Sequence, residues 1–117
     1  MLSLPTRLWR VTLYSMAGFK AAFRYEWAFR LELAICVIAI PLGLYLGATL
    51  IQKILLVSSL LLILIVELIN SAIETVIDRI SLDHHELSGQ AKDIGSAAVF
   101  MSVINALFIW ITILVFK

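Results

Sequence analysis

The sequence predicts an all-α integral membrane protein: three transmembrane helices and an N-terminal amphipathic surface helix, forming a single membrane domain of residues 1–117. Composition is the first observation, because 62% of the residues are hydrophobic and the mean hydropathy is +1.05. The second is that the sequence contains three long apolar runs, of which residues 33–51 and 94–116 carry no charge. These values exclude an ordinary soluble domain. The formal net charge of +1 gives no reason to expect a nucleic acid partner.

The surface helix is predicted over residues 1–30. Its apolar and aromatic side chains share one arc of about 80° on a helix, as in helices that lie in a membrane interface: Trp9, Met16, Phe19, Phe23 and Trp27. The opposite face carries Arg7, Arg10 and Tyr14. Two roles remain open for this polar face, namely anchoring at the membrane surface and contact with an anionic ligand.

The three spans follow in order. Long apolar runs and turn residues predict span 1 over 31–47, span 2 with a cytoplasmic extension over 50–80 and span 3 over 90–116. Gly47, Ala48 and Thr49 form the predicted hairpin turn between the first two spans. The single cysteine, Cys36, excludes an internal disulfide and is expected to pack in its apolar run.

The distribution of basic residues predicts the orientation. Three spans place the N-terminus and the polar connection of residues 81–89 on one side, with Arg7, Arg10, Lys20, Arg24, Arg30, Arg79 and Lys92. Only Lys53 and Lys117 lie on the other side. Because loops rich in Lys and Arg stay in the cytoplasm, the N-terminus is predicted to be cytoplasmic.

A polar stripe ends the second span, in the stretch ELINSAIETVIDRI. Its members fall within an arc of about 100°: Glu67, Asn70, Ser71, Glu74 and Asp78. A charge beside hydrocarbon costs about 2.5–3.5 kcal/mol or more. The stripe is therefore expected to face protein, water or a ligand.

Further polar residues are predicted to lie at the cytoplasmic membrane face, namely Glu26, Glu32, Lys92, Asp93 and Ser96. Carboxylates without cysteine or histidine at ligand spacing suit Mg²⁺, which usually brings phosphates with it. Phosphoryl transfer needs such a metal, a cation and a base for the acceptor hydroxyl. Glu67 is the deepest carboxylate and so the base candidate, whereas Glu74 is the better metal ligand.

Two structural alternatives stay open. An acidic helix end near a lysine is often a solvated or salt-bridged membrane boundary, which suits Asp78 and Arg79 best. His84 and His85 are typical of a solvated loop, because the other ligands of a zinc site are missing. Neither an HExxH motif nor a GxxxxGK[ST] loop occurs in the sequence.

Two motifs together, ELINSAIETVIDRI and HELSGQAKDIGSAAV, resemble the bacterial diacylglycerol kinases, a family of small trimeric integral membrane lipid kinases. Thr6, Arg7, Arg10, Tyr14, Glu26, residues 28–30 and Glu32 extend the resemblance over nearly the whole chain. It implies a homotrimer in the bacterial inner membrane. It also implies phosphorylation of diacylglycerol to phosphatidic acid by ATP with Mg²⁺, which recycles the lipid into phospholipid synthesis.

Site roles follow from the resemblance position by position. The general base falls on Glu67, and the metal-binding carboxylates fall on Glu26 and Glu74. Nucleotide contacts fall on Arg7, Tyr14, Glu26, Asn70, Glu74, Asp83, His84, His85, Lys92 and Asp93. Lipid contacts fall on Arg7, Ala28, Phe29, Arg30, Glu32, Glu67, Ser96 and Trp110. In a trimer, neighbouring subunits can share these sites.

The chain departs from the family pattern at four positions. Tyr25 and Trp27 replace a small polar residue and an alanine, Leu31 replaces a glutamine, and Ala17 replaces a basic residue. None of them is a predicted metal ligand or the base. Two other functions are kept as alternatives: an undecaprenol kinase of the same fold, and a non-catalytic membrane oligomer that binds cations with its acidic residues.

Overall fold

The computed structural model describes residues 3–80 and 82–116 as a chain of four helices. They are α1 (Leu4–Tyr25), α2 (Trp27–Leu46), α3 (Leu50–Ile80) and α4 (Glu86–Val115). Within these described ranges, α2, α3 and α4 are long and apolar enough to cross a membrane, which confirms the predicted fold class. Residues 1 and 2 of the predicted surface helix, residue 81 of the polar connection and Lys117 lie outside the description.

The break between the first two helices lies at Glu26, earlier than the predicted boundary at residue 30. Glu26 has extended backbone angles, with φ −114° and ψ 101°. Beyond it, Nη1 of Arg30 donates to the carbonyl oxygens of Phe23 and Arg24, at 2.8 and 3.0 Å. These bonds satisfy carbonyl groups that the end of α1 leaves without helical partners. Arg30 therefore stabilises the joint between α1 and α2.

The turn between α2 and α3 lies at residues 47–49, where the sequence predicts it. Nζ of Lys53 donates to the carbonyl oxygens of Leu44 and Gly47, at 2.5 and 2.6 Å, and so caps the end of α2. A Cβ on Gly47 would lie 2.8 Å from Cγ of Lys53. Only glycine therefore lets the two helices approach this closely.

Helix α3 is central, because it packs against α2 on one side and α4 on the other. The indole nitrogen of Trp110 joins α4 to α3, donating to the carbonyl oxygen of Leu56 at 3.2 Å and to Oγ of Ser59 at 3.1 Å. With 31 residues, α3 is about 46 Å long, which exceeds a hydrocarbon core of about 30 Å. One end of α3 therefore extends beyond the hydrocarbon, and the polar stripe lies toward that end.

Large apolar side chains on all three long helices are exposed on the single chain, among them Ile38, Ile69 and Phe108. Such surfaces are expected where a helix contacts lipid or another copy of the chain. The predicted homotrimer would use part of this surface.

Candidate functional site

The polar stripe of α3 turns toward protein at its inner end. Glu67, Asn70 and Ser71 are 6%, 8% and 7% exposed, whereas Glu74 is half-buried and Asp78 is exposed. Burial thus increases along the stripe toward the middle of the membrane. Glu67 is the deepest carboxylate of the stripe, as its position in the sequence predicts.

Glu26 adds a carboxylate from the joint between α1 and α2. Burial raises the pKa of the Glu26 carboxyl, and the charges of Glu74 and Asp78 raise it further. Glu26 also lines a cavity together with Ser71 and Thr75 of α3, so the joint and the end of α3 meet within one chain. The two predicted metal ligands, Glu26 and Glu74, therefore lie within electrostatic reach of each other.

Two more carboxylates extend this negative cluster into the helix bundle. Glu67 lies within electrostatic reach of Glu74 and Glu26, and Glu32 of α2 lies within electrostatic reach of Glu67. Oε2 of Glu32 is buried and has no hydrogen-bond partner among the described residues. Like charges this close are unfavourable in the isolated chain, so a cation or a protonated group would relieve them.

Among the residues that the structure describes, no three His, Cys, Asp or Glu side chains meet as a protein ligand set for a metal. Mg²⁺ does not require one, since one or two carboxylates and the substrate's phosphates usually hold it. The electrostatically coupled pair of Glu26 and Glu74 provides such carboxylates. The donor set therefore fits Mg²⁺ bound together with a nucleotide.

Asn70 lies beside one member of this pair. Its Nδ2 is 3.5 Å from Oε1 of Glu74, the outer limit of a hydrogen bond. Its Oδ1 is buried with no partner in the described part of the chain and lies against Gly95 of α4. Asn70, a predicted nucleotide contact, thus lies next to the predicted metal ligand Glu74.

Lys92 joins the start of α4 to the end of α3. Its Nζ donates to Oδ1 of Asp78 at 3.1 Å, and both side chains are about half exposed. The structure thus contains the salt bridge that the open alternative predicts for Asp78, and its partner is Lys92. An exposed pair of this kind contributes little to stability, so an anionic ligand can compete for the Lys92 ammonium group.

The loop before α4 forms a small cavity of about 200 Å³. Its lining includes the predicted nucleotide contacts Asp83, His84, His85 and Lys92. Nδ1 of His85 accepts a hydrogen bond of 3.1 Å from the backbone N–H of Leu87, so this side chain caps α4. The loop is exposed, as the solvated-loop alternative predicts, and it also shares a cavity with Lys92.

Other predicted site residues do not join these groups. Arg7 and Tyr14 have exposed side chains on α1, and Tyr14 lies about 18 Å along the chain's helix from Glu26. Asp93 and Ser96 are exposed on α4. Trp110 bonds to Ser59, which lies about 12 Å along α3 from Glu67.

The predicted lipid contacts at the start of α2 have different surroundings. Phe29 is 3% exposed, and Ala28 is half-buried. The guanidinium group of Arg30 is occupied with the carbonyl groups of α1. Glu32 alone among these residues is coupled to Glu67.

One feature was missed in the sequence: an apolar cavity of about 810 Å³ between α1, α2 and α3. Its lining combines the apolar arc of α1 with residues that neighbour Glu32 and Glu67 in the chain, and includes Phe19, Phe23, Leu33, Leu64 and Leu68. The apolar arc of α1 was the one sign of this cavity in the sequence. Periodicity predicts which face of a helix is apolar, but it does not predict which residues of other helices lie opposite that face.

Comparison with known proteins adds a finding independent of this geometry. The sequence model of the prokaryotic diacylglycerol kinase family matches residues 13–114. A diacylglycerol kinase of Haemophilus influenzae is 50% identical over 111 residues, which cover 95% of this chain and 94% of that protein. The diacylglycerol kinase of Escherichia coli K12 is 45% identical, over 93% of this chain and 89% of that protein. The diacylglycerol kinase of Pseudomonas aeruginosa is 47% identical, over 92% of this chain and 88% of that protein.

Proposed function

The chain belongs to the prokaryotic diacylglycerol kinase family, and from this premise we propose that it phosphorylates diacylglycerol to phosphatidic acid with ATP. The reaction takes place at the cytoplasmic face of the bacterial inner membrane and returns the lipid to phospholipid synthesis. Membership of the family and three helices able to span a membrane support this proposal. The seven basic residues on the N-terminal side support the orientation.

The observation that carries the proposed chemistry is the burial of Glu67, which is 6% exposed, close to the apolar cavity. Leu64 and Leu68 line that cavity and flank Glu67 in the helix. A diacylglycerol whose acyl chains occupy the cavity would bring its hydroxyl group to the carboxylate. Because water is largely excluded at Glu67, the lipid hydroxyl is favoured over water as the acceptor of the phosphoryl group.

Proton and phosphoryl movements follow from this arrangement. Glu67 takes the proton of the lipid hydroxyl, whose oxygen forms a bond to the γ-phosphorus of ATP. The bond between the γ-phosphorus and the β,γ-bridging oxygen breaks, and ADP leaves. When bound, Mg²⁺ neutralises the charge of the phosphate oxygens, and Glu26 and Glu74 would hold it.

The nucleotide is proposed to lie along the loop cavity, with its phosphates toward Glu74. The cavity of about 200 Å³ is smaller than the roughly 300 Å³ or more of a small-molecule site, so it accommodates only part of a nucleotide. Lys92 would exchange Asp78 for a phosphate group. Arg7 and Tyr14 could contact the same nucleotide from a neighbouring subunit of the proposed homotrimer.

The test is phosphate transfer from Mg-ATP by the purified chain in mixed micelles, with diacylglycerol and undecaprenol offered in parallel. Preferential labelling of diacylglycerol is the expected result. Preferential labelling of undecaprenol would move the function to the polyprenyl alcohol and keep the site. Transfer to neither lipid would overturn the proposal and favour the non-catalytic oligomer.

A further inference from the structure

Helices α3 and α4 come into very close contact where Gly95 faces Asn70. A Cβ built on Gly95 would collide with Oδ1 of Asn70 and would lie 3.1 Å from Cγ of the same side chain. Both residues are buried, and Asn70 is only 8% exposed. The space that a side chain at position 95 would fill is therefore occupied by the Asn70 amide.

Chemistry fixes the orientation of that amide. A carboxylate only accepts hydrogen bonds, so Nδ2 of Asn70 faces Oε1 of Glu74, 3.5 Å away. Oδ1 must then point the other way, toward Gly95, where it has no partner among the described residues. A buried amide oxygen without a partner costs free energy, and most proteins avoid it. The chain accepts that cost at a position beside a candidate metal ligand.

Rotation of the amide would not make room for a larger residue at position 95. Turning the group about the Cβ–Cγ bond leaves Cγ in place, and Cγ alone is tighter than an ordinary contact to the added Cβ. The whole Asn70 side chain would have to move, or the helices would have to separate. A displaced Asn70 side chain would change the position of Nδ2 relative to Glu74, whereas separated helices would remove the contact with α4 that holds the amide in place.

We propose that Gly95 is a positioning residue for the metal site: the absence of a side chain lets α4 hold the Asn70 amide against Glu74. Asn70 in turn orients the Glu74 carboxylate for Mg²⁺. Groups that orient a metal ligand commonly change metal affinity by about 10–100-fold when they are replaced. This inference rests on the proposed function, since it takes Glu74 as a metal ligand.

The competing explanation is that Gly95 serves helix packing alone, as small residues often do between transmembrane helices. Gly43 offers a matched comparison, because a Cβ there would lie 3.2 Å from Cβ of Leu56 and 3.3 Å from the Trp110 ring. That contact also joins the long helices, but it lies away from Glu74. Gly18 provides an uncrowded control, since nothing lies within 4 Å of its added Cβ.

The experiment measures Mn²⁺ binding to the purified chain with a non-hydrolysable ATP analogue, from the loss of the paramagnetic resonance signal of free Mn²⁺. Gly95→Ala is expected to weaken Mn²⁺ binding by about tenfold or more. Gly43→Ala and Gly18→Ala are expected to bind Mn²⁺ as the parent does, and thermal unfolding is recorded for all three variants. Parent-like Mn²⁺ affinity in Gly95→Ala, or equal losses in Gly95→Ala and Gly43→Ala, would overturn the proposal.

A double-mutant cycle tests the route through Asn70. In an Asn70→Ala background the colliding amide is gone, so Gly95→Ala is expected to cause no further loss of Mn²⁺ affinity. A loss in the double variant as large as in Gly95→Ala alone would remove Asn70 from the argument. The double variant also keeps the proposal testable if Gly95→Ala alone does not fold.

The parent chain separates this test from the proposed function. If the parent transfers phosphate to neither lipid and binds no Mn²⁺ with the nucleotide analogue, the proposed function has failed. If the parent is active and binds Mn²⁺ but Gly95→Ala behaves like it, only the role of Gly95 has failed.

Discussion

The two ends of the helix bundle differ in whether their half-buried and buried polar groups have hydrogen-bond partners. At the hairpin end, the Trp110 indole and the Lys53 ammonium group each find two hydrogen-bond acceptors on a neighbouring segment. At the acidic end, formed by Glu26, Glu32, Glu67, Asn70 and Glu74, carboxylates crowd together. Two buried oxygen atoms there, on Glu32 and Asn70, have no partner within the described residues.

This difference indicates which end stabilises the fold and which end binds a ligand. Satisfied polar groups between helices contribute to stability, whereas a buried group without a partner costs it. Natural proteins accept such local costs mainly at functional sites. The hairpin end is thus the scaffold of the molecule, and the acidic end is its candidate site.

The largest expected effect is that of Glu67→Gln. If Glu67 is the general base, phosphate transfer to diacylglycerol should fall by about 10²–10⁴-fold, because this variant cannot accept the proton. Binding of an ATP analogue should persist, since the nucleotide contacts remain. Transfer rates and analogue binding are measured side by side in mixed micelles. Glu86→Gln, an exposed carboxylate at the start of α4, serves as the control, and parent-like turnover in Glu67→Gln would remove Glu67 as the base.

Next in size are the effects of Glu26→Gln and Glu74→Gln. Each variant removes one carboxylate from the proposed metal site, so the Mg²⁺ concentration for half-maximal activity should rise by at least about 10–100-fold. A Mg²⁺ titration at saturating ATP measures this requirement. An unchanged requirement in both variants would contradict the metal assignment, and Glu86→Gln again controls for the general loss of a negative charge.

A smaller effect is expected at the hairpin end. Trp110→Phe keeps the ring but removes the donor to Leu56 and Ser59, so the free energy of unfolding should fall by about 0.6–1.7 kcal/mol. Thermal unfolding in detergent measures this change. The Mg²⁺ requirement should keep its parent value, because the contact lies far from the acidic end. A raised Mg²⁺ requirement without a change in unfolding would reverse the roles assigned to the two ends.

The smallest expected effect is a pH dependence at Glu26. Burial and the charges of Glu74 and Asp78 raise its pKa above the ordinary value of 4.5, so the folded chain binds this proton more tightly than the unfolded chain does. The resulting stability is present below about pH 4.5 and is lost as the pH rises through the folded-state pKa. Lys92 offsets part of the nearby charge through its pairing with Asp78.

Thermal unfolding without Mg²⁺, recorded as a function of pH, measures this contribution. Glu26→Gln should reduce the pH dependence of thermal unfolding between about pH 4.5 and the folded-state pKa of Glu26, because the amide does not titrate. Glu86→Gln should keep the parent slope. If thermal unfolding depended on pH equally in the parent and in Glu26→Gln, the carboxyl group of Glu26 would not be affected by the charges of the acidic end.

Much of the fold could be predicted from the sequence. A bilayer requires long apolar helices, so composition and long apolar runs were enough to predict α2, α3 and α4. The polar stripe of α3 followed from helical periodicity, because its members recur on one face. The deep position of Glu67 could be predicted for the same reason, since distance along a helix follows from residue number.

The boundary at Glu26 could not be predicted in this way. The apolar arc of α1 continues through Phe23 to Trp27 and gives no sign of a break. At the break, Arg30 of α2 donates to carbonyl groups of the preceding helix, which is a contact between two elements. Periodicity describes one helix at a time and carries no information about such contacts.

By itself, the sequence determined the class of the protein, the order of its helices and the face of α3 that carries the carboxylates. These properties depend on local composition and on the regular geometry of a helix. Only the tertiary structure decided that Glu26 comes within electrostatic reach of Glu74, that Lys92 pairs with Asp78 and that Gly95 makes room for Asn70. The physical reason is that each of these contacts depends on how closely and at what angle separate helices pack.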